Sequence, residues 1–160
     1  MHSLRKLVRQ ERGDSMAEFA LSVVVLLTAI FGIMDCSRAL FVYHFVSYAA
    51  QEGTRYAIVH GSEFSGTSCA TTSSYSCDAT GANITSFVKG LAPPGVGTVS
   101  VTPTWPGKQP NGSTTGCSTT ASVDGCLVKV KVSVTFNFVL SYLPASSMTF
   151  TSTSQGVVQQ

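Results

Sequence analysis

Hydrophobic and polar positions along this chain form three successive patterns, and the first is an apolar run at residues 16–34 whose only charge is Glu18. At ~1.5 Å per residue, a helix of this length spans roughly 28 Å, close to the ~30 Å hydrocarbon core of a bilayer. The run therefore predicts a membrane-spanning helix. A carboxylate inside such a span is costly, so Glu18 is the first candidate for a functional residue.

The second pattern is amphipathic and continues the helix beyond the apolar run. Small and apolar residues recur at three- or four-residue steps, with a narrow polar stripe opposite them. The small side comprises Ala39, Val42, Val46, Ala49, Ala50, Gly53 and Ala57, and the polar stripe comprises Ser37, His44, Ser47, Gln51 and Arg55. Because no proline occurs before Pro93, we expect one helix over about residues 14–59. Its small face would allow another element to approach closely.

The third pattern is the alternation of a half-buried strand. Val128, Val130, Val132, Val134, Phe136 and Phe138 share one face, and Lys129, Lys131, Ser133, Thr135 and Asn137 share the other. Weaker patterns predict strands over 96–105 and 148–158 and a short helix over 83–91. The expected fold is α+β: a long N-terminal helix packed on an antiparallel sheet of about three strands, plus one short helix.

Charge predicts the orientation of the span. Net charge is +2, which carries no signal for nucleic-acid binding. Residues 1–13 hold four basic residues and one acidic residue, whereas the remainder has a net charge of −1. Positive residues stay on the cytoplasmic side of a span. We therefore expect a basic cytoplasmic leader at 1–13, a span at 14–35, and an exoplasmic head at 36–160 that includes the amphipathic half of the helix.

Two other interpretations of the N-terminus are a cleaved secretory signal peptide and an uncleaved signal anchor. A secretory signal peptide has an apolar region of ~7–15 residues followed by a small-x-small cleavage site. The run here is longer, and residues 35–39 (DCSRA) are a poor cleavage context. An uncleaved signal anchor also stays open, because the Gly-x4-Glu spacing of Gly13 and Glu18 is weak by itself.

Four cysteines lie in or directly after two polar loops, at residues 61–82 and 108–125. Cys69 and Cys77 belong to the first loop, and Cys117 and Cys126 belong to the second. Four cysteines permit three connectivities, and the two local pairings are favoured. Each local disulfide would contribute on the order of 2–3 kcal/mol by constraining the unfolded chain. A zinc site is the rival interpretation, but no Cys-x2-Cys pair occurs.

The fifth cysteine, Cys36, follows the span. It is read either as a small buried apolar residue or as one half of an intermolecular bridge. No Gly-x-Ser-x-Gly, Ser-x-x-Lys or phosphate-loop pattern appears in the sequence, and its carboxylates are dispersed. We expect a protein that is not an enzyme and that requires no cofactor or metal.

The basic head, Gly13 and Glu18 together carry a resemblance to a known class of precursors. The string R-G-D-S-M-A-E-F resembles the processing site of type IV pilin-like precursors, which a prepilin peptidase cuts after the glycine. In that class the fifth mature residue is glutamate. The resemblance implies cleavage between Gly13 and Asp14 and loss of residues 1–13.

Three longer segments narrow the resemblance. GDSMAEFAL, FGIMDCSRAL and YAAQEGTRYA resemble the N-terminal region of TadE-like proteins, the minor pseudopilins of tight-adherence (Tad/Flp) pilus systems. TadE and TadF are similar at this level, and both stay open. Phe19 stands where the major Flp pilins usually have tyrosine, and this chain is much longer than those subunits. Both differences favour a minor subunit.

The resemblance also implies a role and partners. After cleavage Asp14 would carry the new N-terminal amine, and Glu18 of an incoming subunit would pair with the amine of a neighbour already in the fibre. Glu18 and Phe19 are the implied assembly residues. The implied partners are the inner membrane, a prepilin peptidase, other pseudopilins, the major Flp pilin and the pilus assembly platform. The protein would move from the bacterial inner membrane to a pilus at the cell surface and act in pilus biogenesis and adhesion. The alternative is a permanently anchored exoplasmic binding or envelope assembly protein.

Overall fold

Five secondary-structure elements follow one another in the computed structural model. They are α1 (His2–Val59), α2 (Gly81–Gly90), β1 (Val99–Thr104), β2 (Leu127–Asn137) and β3 (Ser147–Val157). The structure describes residues 2–62, 64, 78–139 and 147–159, with side chains from residue 14 onward. The expected fold class, a long helix with a small antiparallel sheet and one short helix, is confirmed.

Helix α1 is continuous and begins earlier than the sequence pattern predicts. Its backbone is helical from His2 rather than from about Asp14, and it ends at Val59 as expected. Gly13 lies inside it, because a single glycine costs a helix only ~1 kcal/mol relative to alanine. Within the described residues, the stretch from Asp14 is the one helix long and apolar enough to cross a membrane. This finding fits a single-pass membrane protein.

The chain divides into two compact units. One contains residues 1–38 and 138–146, and the other contains residues 39–137 and 147–160. The second unit holds the sheet, α2 and the amphipathic part of α1, and it contains the hydrophobic core.

The sheet has the strand order β1-β2-β3, and both pairings are antiparallel. The central strand β2 buries the alternating residues Val128, Val130, Val132, Val134 and Phe136. Phe138, predicted as the sixth residue of this face, lies beyond the end of β2 and belongs to the other unit. Alternation in a sequence continues past the point where pairing stops, and here the pairing ends at Asn137 with Ser147.

Strand β3 has the length that its weak pattern predicts, and it begins and ends one residue earlier than the expected 148–158. All 11 of its residues pair with β2. Its face toward the core is mostly Ser and Gly, so apolar alternation is faint. The pairing is supported across the strands by Thr135 and Thr149, whose hydroxyl oxygens lie 3.4 Å apart.

The amphipathic part of α1 covers the apolar face of the sheet, as predicted. Its small stripe is buried at Val42, Val46, Ala49, Ala50, Gly53 and Ala57. One close approach is at Gly53, where a Cβ atom would lie 2.7 Å from Val88 Cγ2 and 3.2 Å from Val130 Cγ1. Helix α1 therefore contacts both α2 and β2 at a position that has room only for glycine.

Residues in and next to α2 determine where this helix begins and which of its faces is buried. The Thr80 hydroxyl caps it by accepting a hydrogen bond from the backbone N–H of Asn83 at 3.2 Å. Ile84 and Val88, four residues apart, are fully buried and fix the helix face that meets the core.

Candidate processing and assembly site

The predicted assembly residues lie on one exposed stretch of α1. Asp14 and Glu18 are one turn apart, a rise of ~6 Å, and both side chains are exposed. Phe19, beside them, is 72% exposed. Gly13 lies in the helical backbone directly before Asp14. The structure therefore brings the predicted cleavage bond and the predicted assembly carboxylate onto adjacent turns of a single helix.

Glu18 differs from the other polar residues of the apolar run. The Ser22 hydroxyl donates to the Glu18 carbonyl oxygen at 3.0 Å, and the Thr28 hydroxyl donates to the Val24 carbonyl at 2.8 Å. Hydroxyl groups that bond within their own helix are compatible with lipid. Among the described residues, the Glu18 carboxylate has neither a hydrogen bond nor an ion pair within its chain.

The apolar run presents a large uncovered surface. Most of its large side chains are exposed, including Met16, Leu21, Val24, Val25, Leu26, Leu27, Ile30, Phe31, Ile33 and Met34. A continuous apolar surface of this size requires lipid or apolar protein to cover it. Both coverings would surround Glu18 with an environment of low dielectric constant.

A second charged cluster lies directly after the run and was not predicted. The Asp35 side chain is only 5% exposed, and its Oδ1 lies 3.3 Å from Arg38 Nη1. Its Oδ2 accepts a hydrogen bond from the backbone N–H of Val139 at 3.0 Å. Asp35 thus ties the chain just after β2 to α1. The sequence indicated Asp35 only as the first charged residue after the apolar run. Its partner Val139 is 104 positions away, so no local pattern predicts the contact.

The match to known proteins covers the part of the chain that carries these residues. Residues 13–55 match the TadE-like protein family. This TadE-like segment begins at Gly13 and includes Glu18, Phe19 and most of the small stripe of α1. No curated protein and no solved structure matches the chain. The suspected family is confirmed for this segment, which indicates a protein associated with Tad pili.

Beyond the TadE-like segment, the polar loop at 108–125 is ordered and cross-linked. A disulfide joins Cys117 to Cys126, which is one of the two local pairings expected. The backbone N–H of Gln109 donates to the Ser113 carbonyl at 2.7 Å, and that of Leu127 donates to the Lys108 carbonyl at 2.9 Å. Residues between these anchors are mostly exposed. The loop is therefore an exposed segment that its disulfide and backbone hydrogen bonds hold in one conformation.

The remaining cysteines have different outcomes. Cys69 and Cys77 lie outside the described residues, so their pairing stays a prediction. Cys36 is free and exposed. The interpretation of Cys36 as a small buried residue is therefore wrong, because this turn of α1 has its packed side at Asp35.

An aromatic stack at the end of α1 was also missed from the sequence. The Tyr56 ring stacks on His60 at 4.4 Å and on Phe87 at 4.7 Å between ring centroids. Burial raises the pKa of the Tyr56 phenol, and the nearby Asp78 carboxylate raises it further. The three rings join the end of α1 to α2. Their spacing in sequence gave no signal because Phe87 comes from another helix.

Trp105 is held in the same unit by a polar contact. Its Nε1–H donates to the Ser122 hydroxyl at 3.0 Å. Ser122 is buried, and its carbonyl accepts from the backbone N–H of Ser62 at 2.7 Å. A buried serine within the loop at 108–125 thereby connects that loop to the strand end at Trp105 and to the chain just after α1.

Proposed function

We propose that this chain is a minor pseudopilin of a Tad (Flp) pilus, cut between Gly13 and Asp14 and assembled through Glu18. The observation that supports it best is the exposed Glu18 carboxylate, which has no partner among the described residues of its own chain. It lies in the TadE-like segment, five positions after Gly13. The subunit would prime or cap the pilus and so contribute to surface adhesion.

Cleavage would create the partner that Glu18 lacks. An unpaired charge among packed apolar helices is costly, whereas a compensated pair is tolerated. The new N-terminal amine of a subunit already in the fibre would neutralise Glu18 of the incoming subunit. Because the amine and the glutamate would lie one turn apart along each subunit's helix, their pairing would fix the axial offset between neighbours. The exposed apolar residues of the run would supply the contact area.

The precursor helix also suggests why a glycine precedes the cut. The bond between Gly13 and Asp14 lies within α1, where the backbone groups are held in helical hydrogen bonds. A peptidase needs the scissile bond in an open conformation. Glycine has weak helix propensity and no side chain, so it both eases local opening and admits the catalytic groups.

The proposal includes a topology and a set of partners. The basic residues of the leader would hold residues 1–13 in the cytoplasm and the head outside the inner membrane. Contacts would be made with the prepilin peptidase, other pseudopilins, the major Flp pilin and the assembly platform. The chain acts here as a structural subunit and a peptidase substrate, not as an enzyme.

A permanently anchored exoplasmic binding protein is the second candidate. The ordered, disulfide-linked loop at 108–125 favours it, because exposed loops held in one shape are common binding elements. Processing separates the two candidates, since a permanent anchor keeps residues 1–13.

Intact-mass measurement of the protein from cells with and without the prepilin peptidase tests the proposal. We expect a chain beginning at Asp14 only when the peptidase is present, and Gly13→Val should leave the precursor uncut. Gly32→Val is the matched control: a Cβ at Gly32 meets nothing within 4 Å, so that variant should be processed normally. Full-length protein from cells with active peptidase would remove the main support for a pseudopilin.

A further inference from the structure

Asp35 occupies an unusual position for a buried carboxylate. It is the first residue after the apolar run at 16–34, and its side chain is nearly inaccessible to solvent. Ile33 and Met34, directly before it, are 68% and 55% exposed. Asp35 therefore marks the level at which the proposed span meets the outer lipid–water interface.

The contacts of Asp35 bring the start of the β2–β3 connection to this level. The Val139 N–H lies 3.0 Å from Asp35 Oδ2, so the backbone at Val139 is adjacent to α1 at the end of the apolar run. Residues 138–139 and 1–38 also belong to the same compact unit. The Val139 side chain is 62% exposed, whereas the Phe138 side chain before it is half-buried.

The hydrogen bond is suited to a layer that contains little water. A backbone N–H that enters such a layer needs an acceptor from the protein, because water no longer supplies one. Asp35 supplies it, and Arg38 compensates the charge that this requires. The Arg38 side chain is about half exposed. A guanidinium on a flexible stem at this level can also reach lipid phosphates.

We propose that Val139 inserts into the outer lipid interface as a second membrane contact, with Asp35 as the positioning residue that holds it there. The contact rests on the membrane span proposed above. Its occupant is lipid rather than protein, because the segment lies level with the last residues of the span, where lipid is the surrounding medium. The transfer of a valine side chain from water into this layer is favourable.

Spin-label depth measurement on the full chain in phosphatidylethanolamine–phosphatidylglycerol liposomes tests the contact. Val139→Cys is labelled in a Cys36→Ser background, and the background protein alone measures stray labelling. Val24→Cys reports the centre of the span, and Thr102→Cys, exposed on β1, reports water. Collision rates with oxygen and with a water-soluble nickel chelate give the depth of each label.

We expect the oxygen-to-nickel accessibility ratio at Val139 to be several-fold above that at Thr102 and to approach the ratio at Val24. A lipid-like ratio at Val24 with a water-like ratio at Val139 would overturn the inference and leave the span intact. Water-like ratios at both positions would overturn the span and the inference together. Low access to both reagents at Val139, restored by dilution with unlabelled protein, would assign the surface to a second copy and also overturn it.

Two substitutions at Asp35 test its positioning role. Asp35→Ala removes the acceptor, so the Val139 label should shift to a water-like ratio. Asp35→Asn keeps a carbonyl oxygen that can accept from Val139, and it should retain most of the lipid-like ratio. An unchanged ratio in Asp35→Ala would show that Asp35 does not hold the segment.

Discussion

Gly53→Ala is predicted to destabilise the head, although alanine is the better helix former. The added Cβ would lie 2.7 Å from Val88 Cγ2 and 3.2 Å from Val130 Cγ1. Ordinary contact begins near 3.4 Å, so Val88 would have to move by about 0.7 Å. Val88 and Val130 are fully buried, and β-branched side chains have few alternative rotamers. Neither neighbour can yield without disturbing the core.

Two opposing terms decide the size of the effect. Extra atoms in a packed core cost ~1–3 kcal/mol, whereas replacing glycine by alanine inside a helix gains ~1 kcal/mol. Packing should win because three elements, α1, α2 and β2, converge at this position. We expect a net loss in the free energy of unfolding of ~1 kcal/mol, the difference between a packing cost of ~2 kcal/mol and a helix gain of ~1 kcal/mol.

The assay is denaturant unfolding of the full chain in detergent, followed by the fluorescence of Trp105, the single tryptophan. Trp105 lies in the unit that contains Gly53, and its Nε1–H bond to Ser122 makes it sensitive to the fold. Gly81→Ala is the matched control, because a Cβ there meets only the Trp105 ring at an ordinary 3.7 Å. A Gly53→Ala protein as stable as wild type would refute the argument that glycine is required for this contact.

Three further predictions concern the assembly residue, the cross-linked loop and the aromatic stack. Glu18→Ala should enter membranes slightly more easily yet lower pilus-dependent attachment at equal protein level, whereas Ser22→Ala, which loses only a bond within its helix, should attach normally. Joint replacement of Cys117 and Cys126 by serine should lower stability by about 2–3 kcal/mol in the same unfolding assay, and equal stability would mean that the disulfide does not constrain the unfolded chain. In the folded state the pKa of Tyr56 is raised above 10.0, so the stability that Tyr56 contributes is fully present below pH 10.0 and falls as the pH rises further. Tyr56→Phe should remove this decline, and an identical decline in the variant would exclude Tyr56 as its source.

The elements were predictable where one local pattern was sufficient. The small stripe of α1 and the alternating valines of β2 each report burial through their spacing, since a helix and a strand have fixed periods. For the candidate site, Gly13, Asp14, Glu18 and Phe19 came from the resemblance to a linear processing motif, and their roles stay predictions. The early start of α1 at His2 was missed, because residues 1–13 were interpreted only by their charge. A basic leader can also be helical.

Contacts between distant residues were not predictable. Asp35 and Val139 are 104 positions apart, and the Tyr56–Phe87 stack joins two helices. The full pairing of β3 with β2 depends on backbone hydrogen bonds, which Ser- and Thr-rich residues make without an apolar pattern.

By itself, the sequence determined the apolar run, the position of its single charge, the buried face of each main element and the α+β class. These properties depend on neighbours within one or two turns of a helix or along one strand. Only the tertiary structure decided that Gly53 must be glycine, that Phe138 leaves the sheet, and that Asp35 binds the backbone of Val139. Each of these depends on what another part of the chain places within a few ångströms, and a linear pattern does not encode that distance.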